Sequence, residues 1–334
     1  MKIKGFAATE AGAQLVPFEY KSQPLGSQEV LVRVSHCGIC HSDIHLIRND
    51  WRSSTFPVVA GHEVVGEVLQ LGAEVDWLTK GQRVGIGWQS GSCMQCEWCI
   101  SGQENLCKSS EGTAVGRHGG FGDHIVSDAR FAFPIPATLS SENAAPLLCG
   151  GITVYSPLRR FEVRHWHKVA VVGIGGLGHL AIQFAAAMGC EVTAISSSPS
   201  KENEAKQLGA KHFVAGKEDP KLKACKESFD FILVAATADL DWKPYVNALR
   251  PNGRMCFVTA EATNLDIPAG MLLGGQKSIS GSIIGGRAMM QEMLDFAALH
   301  GIEAKTELFP MKDVNVAIDK LDKNEMRYRA VLKI

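Results

Sequence analysis

The chain has almost no net charge: 34 Lys and Arg stand against 35 Asp and Glu, a formal −1. No field of one sign is therefore available to recruit nucleic acid or an anionic membrane. Long apolar runs are missing as well, and none approaches the ~18–20 residues that a membrane-spanning helix needs. The opening segment MKIKGFAATEAGAQLVPFEY is interrupted by Glu10 and lacks the unbroken apolar core of a secretory signal. Internal repeats and low-complexity tracts are absent too. With 46% hydrophobic and 21% charged residues, disorder is excluded, and a packed cytoplasmic globular protein is expected. At 334 residues the chain exceeds one average core, so two domains are expected.

Ten cysteines are present, and in a reducing compartment such a number does not mean disulfides. Cys190, Cys225 and Cys256 are scattered singly and read as small apolar residues. Cys37, Cys40 and Cys149 are spread through the first half. Cys93, Cys96, Cys99 and Cys107 are crowded into CMQCEWCISGQENLC, with the spacing C-x2-C-x2-C-x7-C. Four thiolates so close can enclose one tetrahedral zinc in a closed, structural site that leaves no position for substrate. An iron–sulfur cluster is the rival, but the bacterial ferredoxin run places its fourth Cys after three residues and follows it with Pro. Here the fourth Cys is followed by Lys108.

Residues 1–150 read as short strands punctuated by glycine. EVLVRVSHCG alternates with period two, and VVGEVLQLG and QRVGIGW are β-branched segments ending in turns. The character changes near Ala144. From Lys168 onward, continuous β-branched runs alternate with helices: KVAVV, the amphipathic segment around Leu177–Met188, FDFILVAA and RMCFVTA. That pattern predicts a parallel sheet covered on both faces. A helix is expected over Met289–Leu299, and the chain closes on YRAVLKI.

Gly173-Ile174-Gly175-Gly176-Leu177-Gly178 follows a strand and opens a helix, the context in which G-x-G-x-x-G signifies a dinucleotide site. The first glycine permits the turn, the second admits a pyrophosphate, and the third lets helix and strand pack closely. An NAD site needs a carboxylate about 20 residues on, to bond the ribose 2′-hydroxyl. This chain offers Ser196, Ser197 and Ser198, then Lys201, and no acid before Glu202. A carboxylate would repel a 2′-phosphate, whereas hydroxyls and an ammonium would bind one, so NADP(H) is expected.

A second metal candidate combines Cys40 in CHSDIH, His62 in GHE, and Cys149 in LLCGGITVY. Two thiolates and an imidazole make a zinc site with one position open for chemistry. Taken with the four-cysteine segment and the glycine turn, the chain resembles the zinc-dependent medium-chain alcohol dehydrogenases. Within them it is similar to the cinnamyl-alcohol-dehydrogenase-like branch of NADP(H)-linked aldehyde reductases. The motifs CGICHSDIH, GHEVVGEV, GGFGDH, LLCGGITVY, GIGGLGH and YRAVLK carry the likeness along essentially the whole length.

The resemblance implies a catalytic zinc on Cys40, His62 and Cys149, with Glu63 as an alternating fourth ligand, and a structural zinc on the other four cysteines. It implies that Ser42 touches the substrate oxygen and that His45 exchanges the proton with solvent. Asp43 would orient His62, His41 would lie near the cofactor phosphates, Thr153 would contact the nicotinamide, and Arg329 would bind the pyrophosphate. Trp51 and Trp88 would wall the substrate pocket. His165, His167, His179, His212 and His300 carry no ligand spacing and read as surface or capping residues.

The expected fold is α/β: a Rossmann doubly wound parallel sheet at 150–285, plus a GroES-like β-rich catalytic domain at 1–149 completed by 286–334. The active site is expected in the cleft. The expected activity is reduction of small-molecule aldehydes to primary alcohols, with two zincs per chain and no nucleic-acid or membrane partner. A homo-oligomer, a dimer first, follows from the resemblance. The rivals are an NAD(H)-linked polyol dehydrogenase and a non-catalytic nucleotide-binding protein of the same fold.

Overall fold

The computed structural model describes residues 1–216, 222, 224–259 and 264–334. They form two compact units, Met1–Ile152 with Gly285–Ile334, and Thr153–Ile284.

The first unit is built on a seven-stranded mixed sheet. Along its path lie Thr306–Pro310, Arg329–Lys333, Glu29–Ile39, Glu63–Leu71, Arg83–Ile86 and Ala132–Pro134, with His124–Asp128 also paired to Glu29–Ile39. The alternation read in EVLVRV turns Val30, Val32 and Val34 into the core, where they meet Val64, Val68, Val84, Ile86, Ala330 and Leu332. Register then does the positioning. Gly38 faces Glu63 across one antiparallel pair, and Ile39 faces Ala330 across the other. Cys40, His62, Glu63 and Arg329 therefore emerge at one end of the sheet, although they come from three distant stretches of chain.

Beyond Ile39 the chain turns into the helix His41–Arg48, with Cys40 as its N-cap residue. The Asp43 carboxylate reaches back to accept the Cys40 backbone N–H at 2.9 Å, satisfying a donor that the helix itself cannot. A second helical stretch runs Ser141–Pro146, Leu147–Gly151 and Ile152–Arg160, and its middle portion is a π-turn. Cys149 sits in that turn. The strand-dominated reading of residues 1–150 did not anticipate it; Pro146, Gly150 and Gly151 obscure the helical period. π-turns are often found where a functional side chain must be re-aimed.

The second unit carries a six-stranded parallel sheet. Its order is His212–Ala215, Glu191–Ser196, Lys168–Val172, Phe229–Val234, Leu249–Phe257 and Ser278–Gly281. In chain sequence this is 3-2-1-4-5-6, the doubly wound arrangement, whose ligand crevice lies where strand order reverses, between strands 1 and 4. Lys168–Val172 feeds that crevice, pairing with Glu191–Ser196 on one side and Phe229–Val234 on the other. The continuous apolar runs are buried as expected: Val169–Val172 and Phe231–Val234 lie in the core. The helix expected over Met289–Leu299 spans Arg287–His300 and belongs to the first unit.

Candidate active site and metal centres

The ligand atoms of Cys40, His62, Glu63 and Cys149 all lie within 4.8 Å of one another. His62 is fully buried, and its Nδ1 sits 2.9 Å from Asp43 Oδ1. A carboxylate oxygen accepts here, so Nδ1 carries a hydrogen and Nε2 is the ring nitrogen left to face a metal. Asp43 also accepts the Gly61 backbone N–H at 2.8 Å, tying the helix His41–Arg48 to the Gly61-His62-Glu63 segment. Glycine is required on both flanks. Gly61 has φ +98°, and a Cβ at Gly38 would stand 1.9 Å from Glu63 Oε2.

The charges are arranged for a cation. The Cys40 thiol is held well below its ordinary range, first by the hydrogen bond from Cys149 and then by His62 and Arg329. The same bond pushes the Cys149 thiol well up. Burial raises the Glu63 carboxyl to about 7 against the opposing pull of Arg329, whose guanidinium bonds it directly. His62 Nε2 and Glu63 Oε2 are buried with no hydrogen-bond partner among the described residues. Two such atoms beside two sulfurs would be costly unless a metal satisfied them. The donor set of two sulfurs, one imidazole and a nearby carboxylate fits zinc with an open position.

The second cluster is closed. Cys93, Cys96, Cys99 and Cys107 also lie within 4.8 Å of one another, with Sγ separations of 3.5 Å for Cys107–Cys93 and 3.6 Å for Cys96–Cys99. The Cys93 thiol is drawn down to about 6, first by the backbone N–H groups of Gln95 and Cys96. Four sulfurs gathered in this way suit a structural zinc. From the core side, Gln89 Nε2 donates to the Glu104 carbonyl at 2.7 Å and to Ser110 Oγ at 2.9 Å, holding this loop.

The glycine turn of the second unit has the geometry that a dinucleotide needs. Gly173 has φ +91°, and a Cβ at Gly178 would collide with the Gly173 carbonyl oxygen at 1.8 Å. A Cβ at Gly175 would meet nothing within 4 Å, which is open space for a pyrophosphate. The helix that follows has Leu177 as N-cap residue and no side-chain cap, so its first amide groups are not taken by a capping side chain. Ser196 ends the neighbouring strand, and its Oγ accepts the Ser198 N–H at 3.2 Å, while Ser197 is exposed. Lys201 donates to the Ile174 carbonyl at 2.6 Å, which brings an ammonium to the glycine turn itself.

Residues 26–137 match the alcohol dehydrogenase GroES-like domain, and residues 176–298 match the zinc-binding dehydrogenase domain. An aldehyde reductase of Synechocystis sp. is 44% identical over 330 residues, covering 99% of this chain and 98% of that protein. The solved cinnamyl alcohol dehydrogenase of Sorghum bicolor superposes with a TM-score of 0.94 at 39% identity, over 100% of this chain and 98% of its own. A CAD from Helicobacter pylori, solved in complex with NADP(H), gives 0.90 at 32% identity over 99% and 98%. The chain belongs to the zinc-dependent alcohol dehydrogenases.

Around the catalytic cluster of this dehydrogenase, Ser42 Oγ lies 3.8 Å from Cys40 Sγ. His45 Nδ1 lies 2.7 Å from Asp50 Oδ2, a partner that sequence reasoning missed. Asn49 turns left-handed at φ 59° and folds Asp50 back against the helix end; an Asn-Asp pair after a helical run was the available signal. Rings then follow one another: His45 to Trp51 at 5.1 Å, Trp51 to Trp88 at 5.7 Å, and Trp88 edge-on to His62 at 4.9 Å. The two tryptophans thus stand beside the metal ligands, as an aromatic wall.

Two residues lie where the sequence did not place them. Arg329, expected at a pyrophosphate, is buried in the first unit with its guanidinium on Glu63, because the strand Arg329–Lys333 is registered against Glu29–Ile39. His179, expected at the surface or in a cap, is fully buried in the first turn of the helix Gly178–Ala187, with Nδ1 2.9 Å from the Gly175 carbonyl. His165, His212 and His300 are exposed and His167 is partly so. Thr153 is buried one helical turn after Cys149, and His41 opens the helix that carries Ser42 and His45.

Proposed function

We propose that the chain is an NADP(H)-dependent zinc alcohol dehydrogenase that chiefly reduces aldehydes to primary alcohols. The observation that carries this reading is the inward-facing set of Cys40, Cys149 and an unpartnered His62 Nε2, on a chain that also holds the glycine turn. Units 1–149 with 286–334 and 150–285 are taken as the catalytic and nucleotide-binding domains.

Cys40, His62 and Cys149 would hold the catalytic zinc, and Glu63 stands ready as a further ligand, restrained by Arg329. Cys93, Cys96, Cys99 and Cys107 would hold the structural one. When bound, zinc supplies a Lewis acid for charge on the substrate oxygen, and the nicotinamide supplies the hydride. Reduction of an aldehyde takes one hydride and one proton. Ser42 would pass that proton to the oxygen, and His45 would draw it from solvent. Asp50 fixes the His45 tautomer by accepting its Nδ1–H. Asp43 does the same for His62. Thr153 is assigned to the nicotinamide, and Trp51 and Trp88 to an apolar, aromatic-tolerant substrate wall.

Gly173, Gly175, Gly176, Leu177 and Gly178 would receive the pyrophosphate, and His41 is assigned to the cofactor phosphates. Ser196, Ser197, Ser198 and Lys201 would receive the 2′-phosphate. The NADP(H) complex of the Helicobacter pylori relative supports that choice. Among the described residues no helix is long and apolar enough to cross a membrane. A cytoplasmic homodimer is the proposed state.

The deciding experiment compares kcat/KM for an aromatic aldehyde with NADPH and with NADH, in the zinc-replete protein and in Cys149→Ser. Turnover that prefers NADPH and collapses in the variant is expected. A tenfold preference for NADH would move the reading to a polyol dehydrogenase. No turnover with either cofactor, at two zincs per chain, would leave a binding protein.

A further inference from the structure

Glu104 lies in the loop enclosed by the four cysteines, and it is buried although it carries a carboxylate. A carboxylate taken out of water persists only where other groups replace its hydration. Here the backbone N–H of Arg287 donates to Glu104 Oε2 at 3.0 Å, and the Arg287 guanidinium lies 3.7 Å from Oε1. Arg287 is the first residue of the helix Arg287–His300, whose N-cap residue, Gly286, has no side chain to offer. Glu104 therefore satisfies a free amide at the start of this helix from 183 positions away in the chain.

Gly286 cannot take over that duty. A Cβ there would stand 1.9 Å from the Gly102 carbonyl oxygen and 2.7 Å from Glu104 Oε2. Arg287 is pinned again on the other side, where its Nε donates to the Arg130 carbonyl at 2.7 Å.

The buried face of this helix is Met290, Met293, Leu294 and Ala297. A Cβ placed on Gly87 would meet the Met290 methyl at 3.1 Å, and one placed on Gly151 would meet Met293 Sδ at 3.1 Å. Gly87 precedes Trp88, whose ring stands edge-on to His62. Gly151 ends the π-turn that carries Cys149. The first two turns of the helix are thus packed behind one catalytic ligand and behind the ring that rests on another.

We infer that Glu104 is a positioning residue for the catalytic metal centre: by capping the helix Arg287–His300 it sets the methionines that back the Cys149 turn and the Trp88 segment. The inference rests on Cys40, His62 and Cys149 being the catalytic ligands. It gives the four-cysteine loop a task beyond closing on its own metal. A change at Glu104 should be felt at a site that Glu104 does not touch.

The test replaces zinc with cobalt in the full chain, because cobalt held by four thiolates and cobalt held by two thiolates and an imidazole absorb differently. In Glu104→Leu, the band of the mixed site is expected to shift or broaden while the four-thiolate band stays. Cobalt should also leave the mixed site for a chelator about tenfold faster, the scale of effect seen when groups supporting a ligand are lost. Glu104→Gln, which keeps an acceptor for the Arg287 amide, should recover most of the original spectrum and release rate.

If Glu104→Leu does not fold, Met293→Ala carries the same test from the other end of the contact, with the same selective change expected. An unchanged mixed-site band and release rate in a folded variant would overturn the inference, and so would equal changes at both sites, which mean general loosening. A parent protein with only the four-thiolate band would instead overturn the ligand assignment, and the inference with it.

Discussion

Asp43 is fully buried and accepts three hydrogen bonds, from the backbone N–H groups of Cys40 and Gly61 and from His62 Nδ1. Those bonds hold the carboxylate in place and turn His62 Nε2 toward the cluster. Asp43→Asn puts a donor among three donors, so catalytic zinc should be lost to a chelator about 10–100-fold more readily while the four-cysteine metal stays. Metal analysis after dialysis reads this directly. Ser197 tests the opposite end of the machinery. It is exposed beyond the strand end, where a carboxylate would bond a 2′-hydroxyl and repel a 2′-phosphate. Ser197→Asp should shift the NADPH-to-NADH ratio of kcat/KM toward NADH by at least about tenfold, roughly 1.4 kcal/mol. An unchanged ratio would mean that these serines do not read the phosphate.

Among the elements, the glycine turn was legible because its ligand-holding groups are neighbours in the chain. Gly173 at φ +91° and the tight approach of Gly178 are what the motif implies. Gly178→Ala forces a methyl against the Gly173 carbonyl, and overpacking of this kind costs about 1–3 kcal/mol. A lower melting temperature and at least about tenfold weaker NADPH binding by fluorescence titration are expected. The π-turn Leu147–Gly151 was not legible. One extra residue in a helical turn leaves no signature in hydrophobic spacing, and the neighbouring Pro and Gly residues suggest a loop instead. His179 escaped for a related reason. The helix Gly178–Ala187 presses its first turn against the sheet, and burial on that face outranks the polar character of the ring.

On the scale of the whole molecule, both metal clusters belong to the first unit and the glycine turn to the second. Structural metals contribute folding free energy outright. Removing zinc with a strong chelator should therefore lower the transition of the unit Met1–Ile152 with Gly285–Ile334 and spare that of Thr153–Ile284. Calorimetry should resolve two transitions in the metal-free protein, and adding NADPH should raise only the second. A single transition that chelation moves as a whole would show that the units unfold together.

Composition, periodicity and spacing pointed to a packed globular chain, a parallel sheet, the four-cysteine cluster and the dinucleotide turn, and the motifs together carried the family resemblance. Each of these depends on residues within a few positions of one another, where covalent geometry limits the outcomes. Cys40, His62, Cys149 and Arg329 are different, because spacing alone convicts none of them. Antiparallel register brings Gly38 opposite Glu63 and Ile39 opposite Ala330, and a slip of one residue would turn these side chains to the other face. The Arg329–Glu63 pair arises in this way; the cap from Glu104 to Arg287 and the edge-to-face series Trp51, Trp88 and His62 are long-range contacts of other elements. Long-range pairing is decided by how whole strands and helices bury their apolar faces together, and no local stretch of the chain contains that information.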